Sequence, residues 1–168
     1  MSTIDEAVAL WDLHRKGVVA ELENIPEERW DYRPGAGART LRELALHIAA
    51  FAVGFTNELL SSETVFMNLT KPEVQAALLK PWAGLNSKAE IIKLLTSSGA
   101  EISQRLRSES AMLSTKSMKL MSGEQSRLSG LWFAISHETY HRGQLATYAR
   151  GIGLTPAMTK QSQAPPKA

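Results

Sequence analysis

The sequence predicts an all-α protein, a four-helix bundle with a long connection between its second and third helices. Three observations predict it. Four long segments carry apolar residues at helical spacing. Helix-capping signals stand ahead of the first three of them. No stretch shows a convincing strand alternation and no internal repeat is visible. The 168 residues fit one domain, expected over 1–156, followed by a flexible tail over 157–168.

The first helix is expected from residue 3 to about 24. Ser2 or Thr3 can cap it, and Asp5 and Glu6 fall in its first turn, where the helix dipole favours acids. Ile4, Val8, Trp11, Val18 and Leu22 form its apolar stripe. Pro34-Gly35-Ala36-Gly37 is a loop. The second helix is expected from about Thr40 to Leu60, opened by a Thr40/Glu43 capping box and striped by Leu41, Leu44, Ile48, Phe51, Phe55 and Leu59. Residues 61–86 form the long connection, with a short helix over 71–80 after Pro72. Its length lets the third helix run parallel to the second. Ser87 and Glu90 box the third helix, which runs to about Arg107 with Ile91, Leu94, Leu95, Ile102 and Leu106 inward. Residues 108–123 read as a connection with some extended structure. The fourth helix runs from Gly123 or Glu124 to Arg150 and ends in Gly151-Ile-Gly153-Leu-Thr-Pro156.

Composition narrows the function. Net charge is only +2, and no basic run with interleaved aromatics appears, so nucleic acid is not the expected partner. The cations Arg142, Arg150, Lys160 and Lys167 face no acid in the last stretch, which reads as a solvated basic end. There is no cysteine, which excludes disulfides, thiolate nucleophiles and cysteine-held metals. The N-terminus lacks a signal-peptide pattern, and no apolar run reaches membrane-spanning length. A cytoplasmic protein acting on a small molecule, away from membranes, is expected.

The chemistry concentrates in the fourth helix. His137 and His141 stand four apart, one turn apart on one face, so both imidazoles can reach one metal ion. Neutral imidazole suits zinc, nickel, copper or iron. His137-Glu138-Thr-Tyr-His141 also spells the zinc-peptidase pattern, with Glu138 as base. Residues 142–168 contain no Asp, Glu, His or Cys, however, so a third ligand must come from upstream. His47 falls between Leu44 and Phe51 on an apolar face, where a polar ring is out of place. It is a core histidine bonded to a carbonyl or the third ligand, and the waiting pair favours the ligand. His14 sits beside the first stripe and reads as a boundary histidine with one nitrogen in water.

Three neutral histidines with an open position describe a catalytic site rather than a closed structural one. Such an ion brings a bound water toward a pKa of about 7, or can polarise a carbonyl or activate a thiolate. Glu138 is the candidate catalytic carboxylate, with a helix-pair role as the plain alternative. Glu43, one turn before His47, is a candidate partner for the imidazole of that ligand. Gln144 and Tyr148 lie seven residues beyond His137 and His141 and are candidate substrate contacts. Trp82 is a candidate pocket lid.

Leu41-Arg-Glu-Leu-Ala-Leu-His47-Ile-Ala, His137-x-x-x-His141-Arg-Gly-Gln-Leu and Tyr148-Ala-Arg150-Gly-Ile-Gly-Leu-Thr-Pro156 resemble the DinB-like superfamily, as does Ile25-Pro-Glu-Glu-Arg-Trp30-Asp-Tyr-Arg-Pro34. The resemblance runs from about residue 4 to 157. It implies up-down-down-up topology, a metal held by His47, His137 and His141, nickel or zinc as that metal, and a homodimer. It implies either a metal-dependent hydrolase or an S-transferase using a low-molecular-weight thiol such as bacillithiol or mycothiol. Other members are stress-induced proteins without known activity. A non-catalytic stress-related metal-binding protein and, further off, a zinc peptidase using Glu138 are the alternatives.

Overall fold

The computed structural model describes residues 2–61, 71–120 and 123–164. Four long helices dominate it: α1 (Thr3–Glu23), α2 (Leu41–Leu59), α4 (Lys88–Ser108) and α6 (Arg127–Gly151). Short elements join them: α3 (Pro72–Leu79), α5 (Ser110–Thr115), an antiparallel hairpin of β1 (Ser117–Leu120) and β2 (Gly123–Ser126), and a terminal α7 (Ala157–Gln163).

The caps form as the sequence requires. Ser2 with Asp5, Thr40 with Glu43 and Ser87 with Glu90 each make both bonds of a capping box. The contacts between helices fix their directions. Along α1 and α6, Arg15 meets Glu138 and Gly17 meets Arg142, so the two run parallel. Tyr148 reaches back to Arg39 and Leu59 meets Gly130, so α2 runs against α6. Arg42 bonds Asn86 and Arg105 bonds Asn57, so α4 runs with α2. The order is up-down-down-up. The span of chain between α2 and α4 permits this by carrying the backbone back to the starting end; its residues 62–70 lie outside the described ones.

Two apolar cores fill the bundle. One gathers Trp11, Phe51, Phe55, Ile102, Leu106 and Leu131. The other gathers Leu22, Trp30, Leu44, Ile48, Leu95 and Leu145. Between them, at mid-height, lies a layer of polar residues: Arg15 on α1, His47 on α2, Ser98 on α4, and His137, Glu138 and His141 on α6. Gly99 belongs to the same level, where a Cβ would stand 3.1 Å from Arg15 Cγ.

Two sequence expectations are corrected. The fourth long helix begins at Arg127, because Gly123–Ser126 pairs with Ser117–Leu120. Gly123 takes φ +108°, a left-handed conformation open to glycine, where the hairpin turns. The expected flexible tail over 157–168 is revised over its first part, while residues 165–168 lie outside the described ones. Residues 157–163 form α7, whose first amides at Ala157 and Met158 donate to the buried Glu21 carboxylate at 2.8 and 3.0 Å. Glu21→Ala leaves those donors unmet, so α7 should undock at a stability cost of about 1–2 kcal/mol. Hydrogen exchange over residues 157–163 checks this; protection equal to that of the parent chain counts against it.

Candidate metal centre

α2 and α6 face each other across the polar layer, and their facing positions carry the three histidines. The Nε2 atoms of His137 and His47 are 3.3 Å apart, and those of His141 and His137 are 3.0 Å apart. All three rings offer a nitrogen within 4.8 Å of the others. Nitrogens bound about 2.0–2.1 Å from one zinc ion must stand roughly 3.0–3.4 Å apart. These two separations have that spacing.

The protonation pattern points the same way. His141 Nδ1 lies 2.6 Å from Gln144 Oε1. A neutral His141 therefore carries its proton on Nδ1 and leaves Nε2 as a bare lone pair facing the other rings. One proton on His137 Nε2 can serve only one of its two ring contacts well. Burial, with the nearby Arg39 and His141 charges, drives His47 down to a pKa of about 3. Burial, then His141, His47, Arg15 and Arg39, drives His137 down to about 2. His141 is also lowered, by burial, although its bond to Gln144 opposes this. Three neutral imidazoles with convergent lone pairs fit a divalent cation of the borderline class. They fit a cluster of hydrogen bonds poorly.

Around the triad the surroundings are mostly apolar. Phe51 stacks on His137 with ring centroids 3.5 Å apart, and Phe133 packs on Phe51 and Phe55. A cleft beside His47 is lined by Ala50, Phe51, Gln75, Leu78 and Leu79. Leu78 of α3 seats on Gly54, where any Cβ would stand 2.4 Å from Leu78 Cδ2. This close approach holds α3 against α2 next to the site.

The other sequence candidates fall in different places. Glu138 does not face the triad. It is 1% exposed and accepts from Arg15 Nη2 at 2.5 Å, on the α1 side of α6. Burial pushes its carboxyl up and Arg15 pulls it down. The two side chains form a buried ion pair, since a neutral carboxyl would leave the guanidinium uncompensated. Such a carboxylate is not a free general base, which removes the support for the peptidase reading. Glu43 does not partner His47. Its carboxylate is 53% exposed, accepts from the Thr40 amide at 2.7 Å and lies 3.9 Å from Arg33. Tyr148 donates to the Arg39 carbonyl at 3.0 Å and packs edge-on against Tyr32, in the core rather than at the site. Trp82 sits in a 3₁₀ turn and is not among the residues lining the cleft; α3 occupies the place expected of it. Gln144 reaches the site through His141, as the acceptor that orients a ring. His14 meets Thr139 at 3.3 Å on the α1 side, apart from the triad.

Sequence reasoning missed Arg15, Phe51 and Tyr140. Tyr140 and Phe51 had a legible signal, their i, i+4 spacing to Gln144 and His47.

The depressed imidazoles have a consequence for stability. Unfolded histidines titrate near 6.5, whereas folded His47 and His137 stay neutral down to about 3 and 2. Between those limits the unfolded chain binds protons that the native chain does not. Stability of the chelated protein is then full above pH 6.5 and is lost as pH falls, by up to about 2.7 kcal/mol per pH unit for two such rings. Urea titrations of chelator-treated protein from pH 7.5 to 4.5 check this; a flat midpoint contradicts it.

No functionally curated protein matches the chain. Several solved structures share its fold, three of them as follows. A DinB-like protein, YjoA, from Bacillus subtilis is 21% identical, with a TM-score of 0.67, over 89% of this chain and 94% of that one. A protein from Exiguobacterium sibiricum assigned to the DinB family is 21% identical, with a TM-score of 0.65, over 91% and 94%. YfiT from Bacillus subtilis, described as a probable metal-dependent hydrolase with an unusual four-helix bundle topology, is 14% identical, with a TM-score of 0.69, over 92% and 91%. The model of the DinB family matches residues 1–166, so the chain belongs to the DinB family.

Proposed function

We propose that this chain is a metal-dependent hydrolase of a small molecule, with His47, His137 and His141 holding one divalent cation, nickel or zinc. The convergence of three neutral imidazoles with no carboxylate among them carries the reading. When bound, such an ion supplies Lewis acidity, polarising a carbonyl and making water a nucleophile near neutral pH. The description of YfiT as a probable metal-dependent hydrolase agrees with this.

The chain's own residues supply position and exclusion. Gln144 holds the His141 proton on Nδ1 and so aims Nε2 inward. Phe51 covers the face of His137 and keeps water from that side. The cleft formed by Ala50, Phe51, Leu78 and Leu79 offers an apolar wall to a substituent next to the reacting group.

The test is a panel of esters, amides and lactones, run beside thiol-conjugation assays, with chelated protein and protein reloaded with zinc or nickel. Hydrolysis by the loaded protein and none by the chelated protein is expected. Conjugation without hydrolysis would move the activity to thiol S-transfer. An ion bound at one per chain with neither activity would favour a metal-binding protein without catalysis.

A further inference from the structure

The side chains flanking the triad carry hydrogen-bonding order as well as shape. Tyr140 packs edge-on against His141 with ring centroids 5.0 Å apart and is 63% exposed. Gln144 Nε2 lies 3.1 Å from Tyr140 Oη, while Gln144 Oε1 lies 2.6 Å from His141 Nδ1. If Nε2 of His141 faces an ion, its proton is on Nδ1, and every bond in this chain has a fixed direction. His141 Nδ1 donates to Gln144 Oε1, and the amide nitrogen donates to Tyr140 Oη. The Tyr140 oxygen is thus an acceptor toward Gln144, and its own proton is left to donate elsewhere. Among the described residues nothing accepts it.

On the other flank is the cleft beside His47 with Ala50, Phe51, Leu78 and Leu79. His47 and His141 have ring centroids 4.8 Å apart. The sequence across the site is therefore apolar cleft, His47, His141, phenol donor. An acceptor oxygen is satisfied on one side and a hydrocarbon group on the other.

We propose that Tyr140 is a substrate-recognition residue, donating its hydroxyl proton to an acceptor oxygen of the substrate, and that the substrate is a small carbonyl compound with an apolar substituent seated beside His47. This deepens the metal-dependent reading and rests on it. Gln144 acts as a positioning residue, since it aims the phenol and the imidazole together. A charged substituent is selected against, because among the described residues the cleft wall carries no charged side chain, only Gln75 and His47 beside its apolar groups.

Acetohydroxamate and hexanohydroxamate are suitable probes, being carbonyl chelators that differ only in chain length. Binding to the zinc-loaded chain is followed by calorimetry, and zinc affinity is measured separately by chelator competition. Tyr140→Phe keeps the ring on His141 and deletes only the hydroxyl. It should weaken acetohydroxamate about 3–10-fold, the loss of one hydrogen bond, with zinc affinity within about twofold of the parent. Hexanohydroxamate should bind the parent at least about fourfold more tightly than acetohydroxamate, and Leu78→Asn should erase that gain. Equal acetohydroxamate affinity in Tyr140→Phe overturns the role of Tyr140. Equal affinity for the two probes overturns the apolar subsite. A loaded parent that binds neither probe overturns both while leaving the metal centre standing. A parent that takes up no zinc or nickel sinks the metal reading first.

Discussion

His47→Ala should cost the chain its ion. Full protein zinc sites bind with roughly 10–16 kcal/mol, so each donor contributes about 3–4 kcal/mol and its removal weakens binding on the order of 1,000-fold. Metal content after dialysis should fall from about one per chain to near zero, and metal-dependent turnover should fall to the level of the chelated parent. The two α6 histidines cannot compensate, because no other Asp, Glu, His or Cys among the described residues joins the cluster. The fold should survive. His47 is a partly exposed helix residue whose burial already disfavours its charged form, and alanine is the better helix former. Equal melting of parent and variant in chelator, with different melting in zinc, would isolate the effect to the ion. His14→Ala is the matched control, since the fourth histidine of the chain bonds Thr139 away from the triad. Full metal retention by His47→Ala would end the three-ligand account.

Arg15→Met should be the most damaging single change to stability. It leaves the Glu138 carboxyl, 1% exposed, without its partner, a situation that costs about 3–5 kcal/mol. Arg15 also lies 5.1 Å over the Trp11 ring, and methionine keeps only the dispersion part of that contact. The double change Arg15→Met with Glu138→Leu removes both charges and should recover most of the loss. Denaturant midpoints of the four proteins of this cycle give the coupling. A single mutant as stable as the parent would mean the pair is not the buried contact described. The double mutant also separates structure from chemistry. If it folds, binds metal and turns over substrate, Glu138 has no part in proton transfer.

Local chemistry made much of the fold legible. The three capping boxes lie within four-residue windows, and the stripes of α1, α2 and α4 repeat at helical spacing, so each helix can be placed without knowing its neighbours. His47 was legible for a related reason: a polar ring between Leu44 and Phe51 contradicts its own stripe. What was not legible depends on partners distant in sequence. The first turn of α7 is capped by Glu21, 136 residues earlier. The partner of Glu138 lies 123 residues away on α1, so its spacing on α6 alone left both a catalytic and a structural role open. The hairpin has strands of only four residues, too short for alternation to register, and no Asn-Gly turn to announce it. Gln144 was placed on the right face, but spacing cannot tell a group that touches substrate from one that holds a ligand ring.

The band of polar side chains between the two apolar cores has a further effect on how the helices can slide. Greasy surfaces alone tolerate a shift of one turn, about 5.4 Å, because leucine can replace leucine in a neighbouring hole. Here such a shift would drag Glu138 and Arg15 apart into hydrocarbon and pull the imidazoles of α2 and α6 out of alignment. The belt therefore acts as a ratchet stop, locking α1, α2 and α6 into one alignment before any ion arrives.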